Sequence, residues 1–179
     1  CLWEAFCTHD VGAGFSVCLP ATQREAFLKA LQKDYRAFVD AVAHIDVAEA
    51  QAGSEADRLR ILEAVRASPG GTSSVNAAVV GRMREWMLGE VVPEMVARAR
   101  DAADLGGLHA AAMVLKNFGK HAEARALYNE VVAGYTEELG PTHTDTLMAK
   151  NNLAGLLNDL GERKEAKALY KEVIAGRTE

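Results

Sequence analysis

The stretch Ala112–Glu137, AMVLKNFGKHAEARALYNEVVAGYTE, returns as Ala154–Glu179, AGLLNDLGERKEAKALYKEVIAGRTE. The offset is 42 residues, and in that register small, glycine, apolar and acidic positions coincide: Ala112/Ala154, Leu115/Leu157, Gly119/Gly161, Glu123/Glu165, Ala124/Ala166, Leu127/Leu169, Tyr128/Tyr170, Glu130/Glu172, Val131/Val173 and Gly134/Gly176. Self-similarity at a period of this size is the mark of stacked supersecondary units, each too small to bury its own apolar face. Each copy reads as two helices around a glycine. In the second, Met148, Leu153, Ala154, Leu156, Leu157 and Leu160 form an apolar face, and Gly161 supplies the left-handed residue that closes the helix. Ala166, Leu169, Tyr170, Val173 and Ile174 recur at helical spacing on the next one. Ala154 and Ala166 are small where two helices must approach closely, and Tyr128 and Tyr170 are large where a gap to the neighbouring unit must be filled.

The order small, Leu, Gly, Glu-Ala, Leu-Tyr, Val resembles a tetratricopeptide repeat. The linker from Glu138 to Leu147, which contains Gly140-Pro141-Thr142-His143, is followed by Asn151-Asn152-Leu153-Ala154. Linker and helix together resemble the longer repeats of kinesin light chains and their relatives. The resemblance covers about residues 104–179. It implies an α-solenoid of two helix pairs that binds a peptide or protein and carries no chemistry of its own. A self-standing stack usually needs about three repeats, so the outer face of the last helix is expected to be incompletely covered and the boundary after Ile174 to be a truncation. Self-association through that exposed C-terminal repeat edge is a further expectation.

Solenoid repeats bind on the surface formed by the first helix of each pair. Counting from Ala112 and Ala154 on helical geometry, the residues pointing toward that groove are His109, Met113, Lys116 and Asn117 in the first copy. In the second they are Asn151, Gly155, Asn158 and Asp159. Asparagine offers both donor and acceptor, which suits the backbone of an extended peptide, and Lys116 suits a carboxylate. His143 sits in the linker at the position that would cap a helix starting near Thr144.

Composition narrows the partners. The net charge is −5, and residues 101–179 hold 9 Lys+Arg against 12 Asp+Glu. Neither half is basic, so there is no electrostatic footprint for nucleic acid. No apolar run approaches the roughly 18 residues required to span a bilayer. There are three cysteines, Cys1, Cys7 and Cys18; the odd count and the sizeable apolar core argue against a disulfide framework and for a reducing, intracellular setting, read as cytoplasmic. Cys7, His9 and Cys18 lack recognised zinc spacing. No metal or cofactor is expected, and the chain is read as a non-enzyme: the histidines have no partner at triad spacing, and Gly12-Ala13-Gly14 and Gly70-Gly71 lack the lysine of a phosphate loop.

The first part of the chain, 1–92, reads as an α-rich fragment with one or two short strands. Phe15–Leu19 is a strand candidate stopped by Pro20, and Ile45-Asp46-Val47 is a connector or a second strand. Thr22 with Glu25 and Ser54 with Asp57 have capping-box spacing. A helical break is expected near Asp34, Ser68-Pro69-Gly70-Gly71 ends a helix, and residues 93–103 form a connecting helix begun or kinked by Pro93. Cys1-Leu2-Trp3-Glu4 followed by the strand candidate resembles the later part of a Toll/interleukin-1 receptor (TIR)-type domain. In NAD-cleaving members the glutamate of that motif is catalytic, which the resemblance carries over to Glu4. The alternative to a binding scaffold is therefore a fragment of an NAD-consuming signalling enzyme with repeats as sensor or oligomerisation module. A lone carboxylate without a pocket does not make a site, and the scaffold is the reading adopted.

Overall fold

The structure is a computed structural model and describes residues 19–50 and 54–177. The Phe15–Leu19 strand candidate, except its last residue, lies outside the described residues, as do Glu4 and the three cysteines. Every regular element among the described residues is helical. Ile45–Val47 is no strand: Asp46 accepts a hydrogen bond from the Ala48 amide and caps a short 3₁₀ turn, Val47–Glu49. The Asn76 side chain accepts from the Val47 amide at 2.8 Å, so this backbone is satisfied by a side chain rather than by a ladder.

The chain divides into two compact units, one of residues 1–25 and 36–90 and one of residues 26–35 and 91–179. Helix α1 (Ala21–Lys33) ends one residue before Asp34, and α2 (Tyr35–Ala43) follows. Thr22 does not cap α1, because the helix already starts at Ala21 and the Pro20 carbonyl accepts its first turn from Arg24. In the first unit α3 (Glu55–Ala67) opens on the expected box, with the Ser54 hydroxyl accepting from the Asp57 amide. Helix α4 (Gly71–Trp86) follows the left-handed Gly70. Val47, Val65, Val75 and Val79 form the core here, with Ile45, Ile61 and Met83 packed against it.

Helix α4 runs into a single π turn, Met87–Val91, and then into α5 (Val92–Asp101). Pro93 stands in the first turn of α5, where its missing N–H costs least; one turn back the same absence interrupts the α-helical ladder. In the second unit α6 (Leu105–Asn117), α7 (His121–Leu139), α8 (Thr144–Asp159) and α9 (Arg163–Gly176) follow, each packed against its sequence neighbour. The two tight turns are identical. Gly119 (φ 75°) and Gly161 (φ 81°) are left-handed, and Lys120 and Glu162 each donate to the carbonyl five residues back at 2.8 Å, the Schellman arrangement.

Small residues mark where the backbones close. Ala112, Ala124 and Ala154 are fully buried and Ala166 nearly so. The repeated glycine has a matching cause: a Cβ on Gly134 would stand 2.8 Å from the Leu105 side chain, and one on Gly176 2.9 Å from that of Leu147. Leu105 and Leu147 are themselves 42 residues apart, so the leucine-on-glycine contact is part of the repeat. Met148 and Leu160, expected on the apolar face of α8, are instead 44% and 41% exposed. The buried stripe of that helix runs through Leu147, Lys150, Leu153, Ala154 and Leu157, and Met148 lies off it toward Asn151 and Gly155.

Candidate peptide-binding face

Helices α6 and α8 are the first members of the two pairs, and side chains join them along one face. Asn152 Nδ2 lies 2.7 Å from His109 Nε2 and 3.8 Å from the Met113 sulfur. Lys116 Nζ pairs with Asp159 at 3.1 Å. Asn117 donates to the Met113 carbonyl within its own helix. The Lys116 ammonium also lies 3.3 Å from where a Cβ on Gly155 would stand, so the glycine admits the ion pair across the face.

His109 is not a groove residue. It is 3% exposed, holds Asn152, and meets the Tyr128 ring edge-on at 5.7 Å between centroids. Lys116 is committed to Asp159 rather than free for a ligand carboxylate. Met113 and Gly155 are half-buried, while Asn117, Asn151, Asn158 and Asp159 are exposed as the spacing predicts. Among the described residues, the Asn151 and Asn158 side chains form no hydrogen bond. Sequence reasoning missed Asn152, which lies one residue off the groove register, and Met148, whose place three residues before Asn151 was the available signal. Met148, Asn151, Gly155 and Asn158 thus share one face of α8, apolar at one end and amide-bearing along the rest.

Burial holds the His109 imidazole below its ordinary pKa, with the Asp145 carboxylate opposing more weakly. The unfolded chain then binds more protons than the folded one between the depressed folded pKa and the free value near ~6.5, so stability rises with pH across that window. Acidification from pH 7.5 toward 5 is expected to lower the melting temperature of the repeats, and His109→Gln should flatten that profile. Equal pH profiles for the two proteins would show that His109 does not ionise on unfolding.

The linker is ordered as a cap. His143 Nδ1 accepts from the Asp145 amide at 3.2 Å and opens α8. The fully buried Thr146 hydroxyl lies 2.8 Å from the Gly140 carbonyl and 3.1 Å from that of Tyr135.

Antiparallel helix pairs at a 42-residue period, with small residues at the crossings and identical Schellman turns, are the internal evidence of family. Residues 105–179 match the tetratricopeptide repeat family. No curated protein and no solved structure matches the chain. Such repeats generally mediate protein–protein interaction, and the family is generally a non-enzymatic scaffold. No grouping of His, Cys, Asp and Glu that could hold a metal ion is present among the described residues, and no described helix is long and apolar enough to cross a membrane.

Proposed function

We propose that the tetratricopeptide repeats form a protein-binding scaffold that takes an extended peptide segment along the face shared by α6 and α8. The observation that carries this reading is the pair of exposed amides, Asn151 and Asn158, which make no hydrogen bond among the described residues and stand two helical turns apart beside Met148. An amide side chain donates and accepts at once and so can pair with a peptide unit whatever its side chain. Met148 offers an adaptable apolar contact at the end of that row. The Lys116–Asp159 pair closes the other end without net charge, which favours a ligand recognised through its backbone over one recognised through a single carboxylate. The ordered linker from Glu138 to Leu147 supports assignment to the kinesin-light-chain-like repeats. Nothing in this reading requires a catalytic group.

The test is selection of peptides from a displayed library on the full chain, followed by titration of a selected peptide. Asn151→Ala with Asn158→Ala should weaken binding roughly tenfold, at about 0.5–1.5 kcal/mol for each lost hydrogen bond, while the melting temperature stays unchanged. Failure to select any peptide, or undiminished affinity in the double variant, would refute the proposal.

A further inference from the structure

One contact between the two helix pairs lies outside the repeat pattern. Asn152 on α8 meets His109 on α6, whereas the 42-residue partners of these two residues are Ala110 and Asn151. The pair therefore occurs once, and the period does not account for it. Its geometry orients both groups. Asn152 Nδ2 lies 2.7 Å from His109 Nε2 and 3.8 Å from the Met113 sulfur. A thioether sulfur only accepts, so the donor end of the amide is the one turned toward α6. His109 Nε2 must then accept as well, which places the ring proton on Nδ1 of a neutral imidazole. The other end of the amide, Oδ1, accepts from no described residue and reaches solvent.

The surroundings keep the ring neutral. His109 is 3% exposed, and burial outweighs the pull of the Asp145 carboxylate on α8 toward the charged form. That carboxylate also lies 3.6 Å from the His143 imidazole of the linker. From α7 the Tyr128 ring stands edge-on to His109, and its phenol is kept protonated by burial and by the Tyr35 hydroxyl. From α5, which packs on α6, the charges are met elsewhere: Glu94 by Arg98 and Arg100 by Glu130.

We infer that His109 and Asn152 form a proton-controlled switch of hydrogen-bond polarity on the α6–α8 face, with His109 a positioning residue that acts through Asn152. While His109 is neutral, Asn152 shows its carbonyl oxygen outward, an acceptor for a ligand N–H. A proton taken from solvent onto Nε2 makes that atom a donor, and it then opposes the Asn152 donor 2.7 Å away. The amide turns over, Oδ1 accepts from the imidazolium, and the NH₂ group faces outward in its place. An acceptor on the face has become a donor while the helices stay where they are. A ligand that donates to Asn152 binds the neutral form better, and by linkage its binding makes His109 harder to protonate. The effect on a ligand rests on the α6–α8 face being the binding face; the reversal of the amide does not.

The test has two arms, both on the full chain. The first needs no ligand: nitrogen NMR of the imidazole and side-chain amide groups from about pH 8 to about 5, a range centred on histidine ionisation. His109 should be the Nδ1-protonated neutral tautomer at the upper end, and the Asn152 amide signals should move with the His109 midpoint. His109→Gln should abolish that movement. His143→Asn, which keeps a capping side chain on α8 and removes the imidazole near Asp145, should leave it in place. The second arm titrates a selected peptide that has no group ionising in this range. Its affinity should fall about three- to tenfold as His109 protonates, the worth of one hydrogen bond. His109→Gln should remove that dependence, and saturating peptide should move the His109 midpoint to lower pH. An Nε2-protonated tautomer at neutral pH, Asn152 signals indifferent to His109, or unfolding that coincides with His109 protonation would overturn the switch. So would a selected peptide whose affinity is constant through the His109 midpoint. Failure to select any peptide would refute the binding face instead, and the first arm alone would then decide the switch.

Discussion

Tyr128→Ala is expected to destabilise the repeats by about 3–5 kcal/mol, the range for truncating a large buried aromatic. Tyr128 is 1% exposed, with its ring edge-on to His109 on the other helix of its pair. Burial also raises its pKa, with the nearby Tyr35 hydroxyl adding to the shift. Truncation therefore removes the filler, leaves a cavity lined by α7 and its neighbours, and frees the His109 ring to turn away from Asn152. The repeat-equivalent change Tyr170→Ala should cost clearly less, about 1–2 kcal/mol, because part of that ring remains in solvent and only the area removed from water contributes. Amide exchange over residues 105–177 separates the two: global opening should accelerate in the first variant, and protection loss should stay confined to α9 in the second. Equal losses in the two would show that the hairpin interface does not distinguish these tyrosines.

Ala154→Leu is expected to cost about 1–3 kcal/mol. Ala154 is fully buried on α8, and three more carbons there must push α8 away from its neighbour or force strained rotamers on Leu153 and Leu157. Ala166→Leu should act alike from the α9 side of that contact, where Ala166 is 2% exposed. The two changes meet at one helix crossing, so their double variant should fall short of additive: once the helices have separated, the second leucine meets less resistance. Urea unfolding of the single and double variants tests this. Unchanged midpoints would show that the register of the α8–α9 contact is misassigned.

Local signals read correctly where the backbone answers to its own neighbours. Gly119 and Gly161 close helices because the left-handed turn disfavours a Cβ, and Ser54, His143 and the break at Asp34 stand as their spacing predicts. Each rests on interactions within a few residues, so a linear pattern contains the whole cause. Thr22 fails the same test, since Pro20 supplies a backbone carbonyl two positions earlier and the helix begins before the threonine can cap it. Ile45–Val47 fails because a β-prone tripeptide becomes a strand only beside a partner; here Asn76, some thirty residues on, takes the Val47 amide instead.

What the sequence by itself determined is the period, and with it two antiparallel helix pairs, their turns and their small crossing residues. A repeat alignment treats both members of a pair as equivalent, and that is where it ran out. Tyr128 and Tyr170, Arg125 and Lys167, His109 and Asn151 are equal in register and unequal in environment. Arg125 is paired and His109 holds Asn152 because the second hairpin lies beside them, while Lys167 and Asn151 meet no further hairpin in the structure. Only the tertiary structure decided that His109 and Lys116 serve the interface between α6 and α8 and that Met148 and Asn151 face outward. Burial is a property of what lies across a surface, and a single strand of letters records which face a residue occupies but not what stands opposite it.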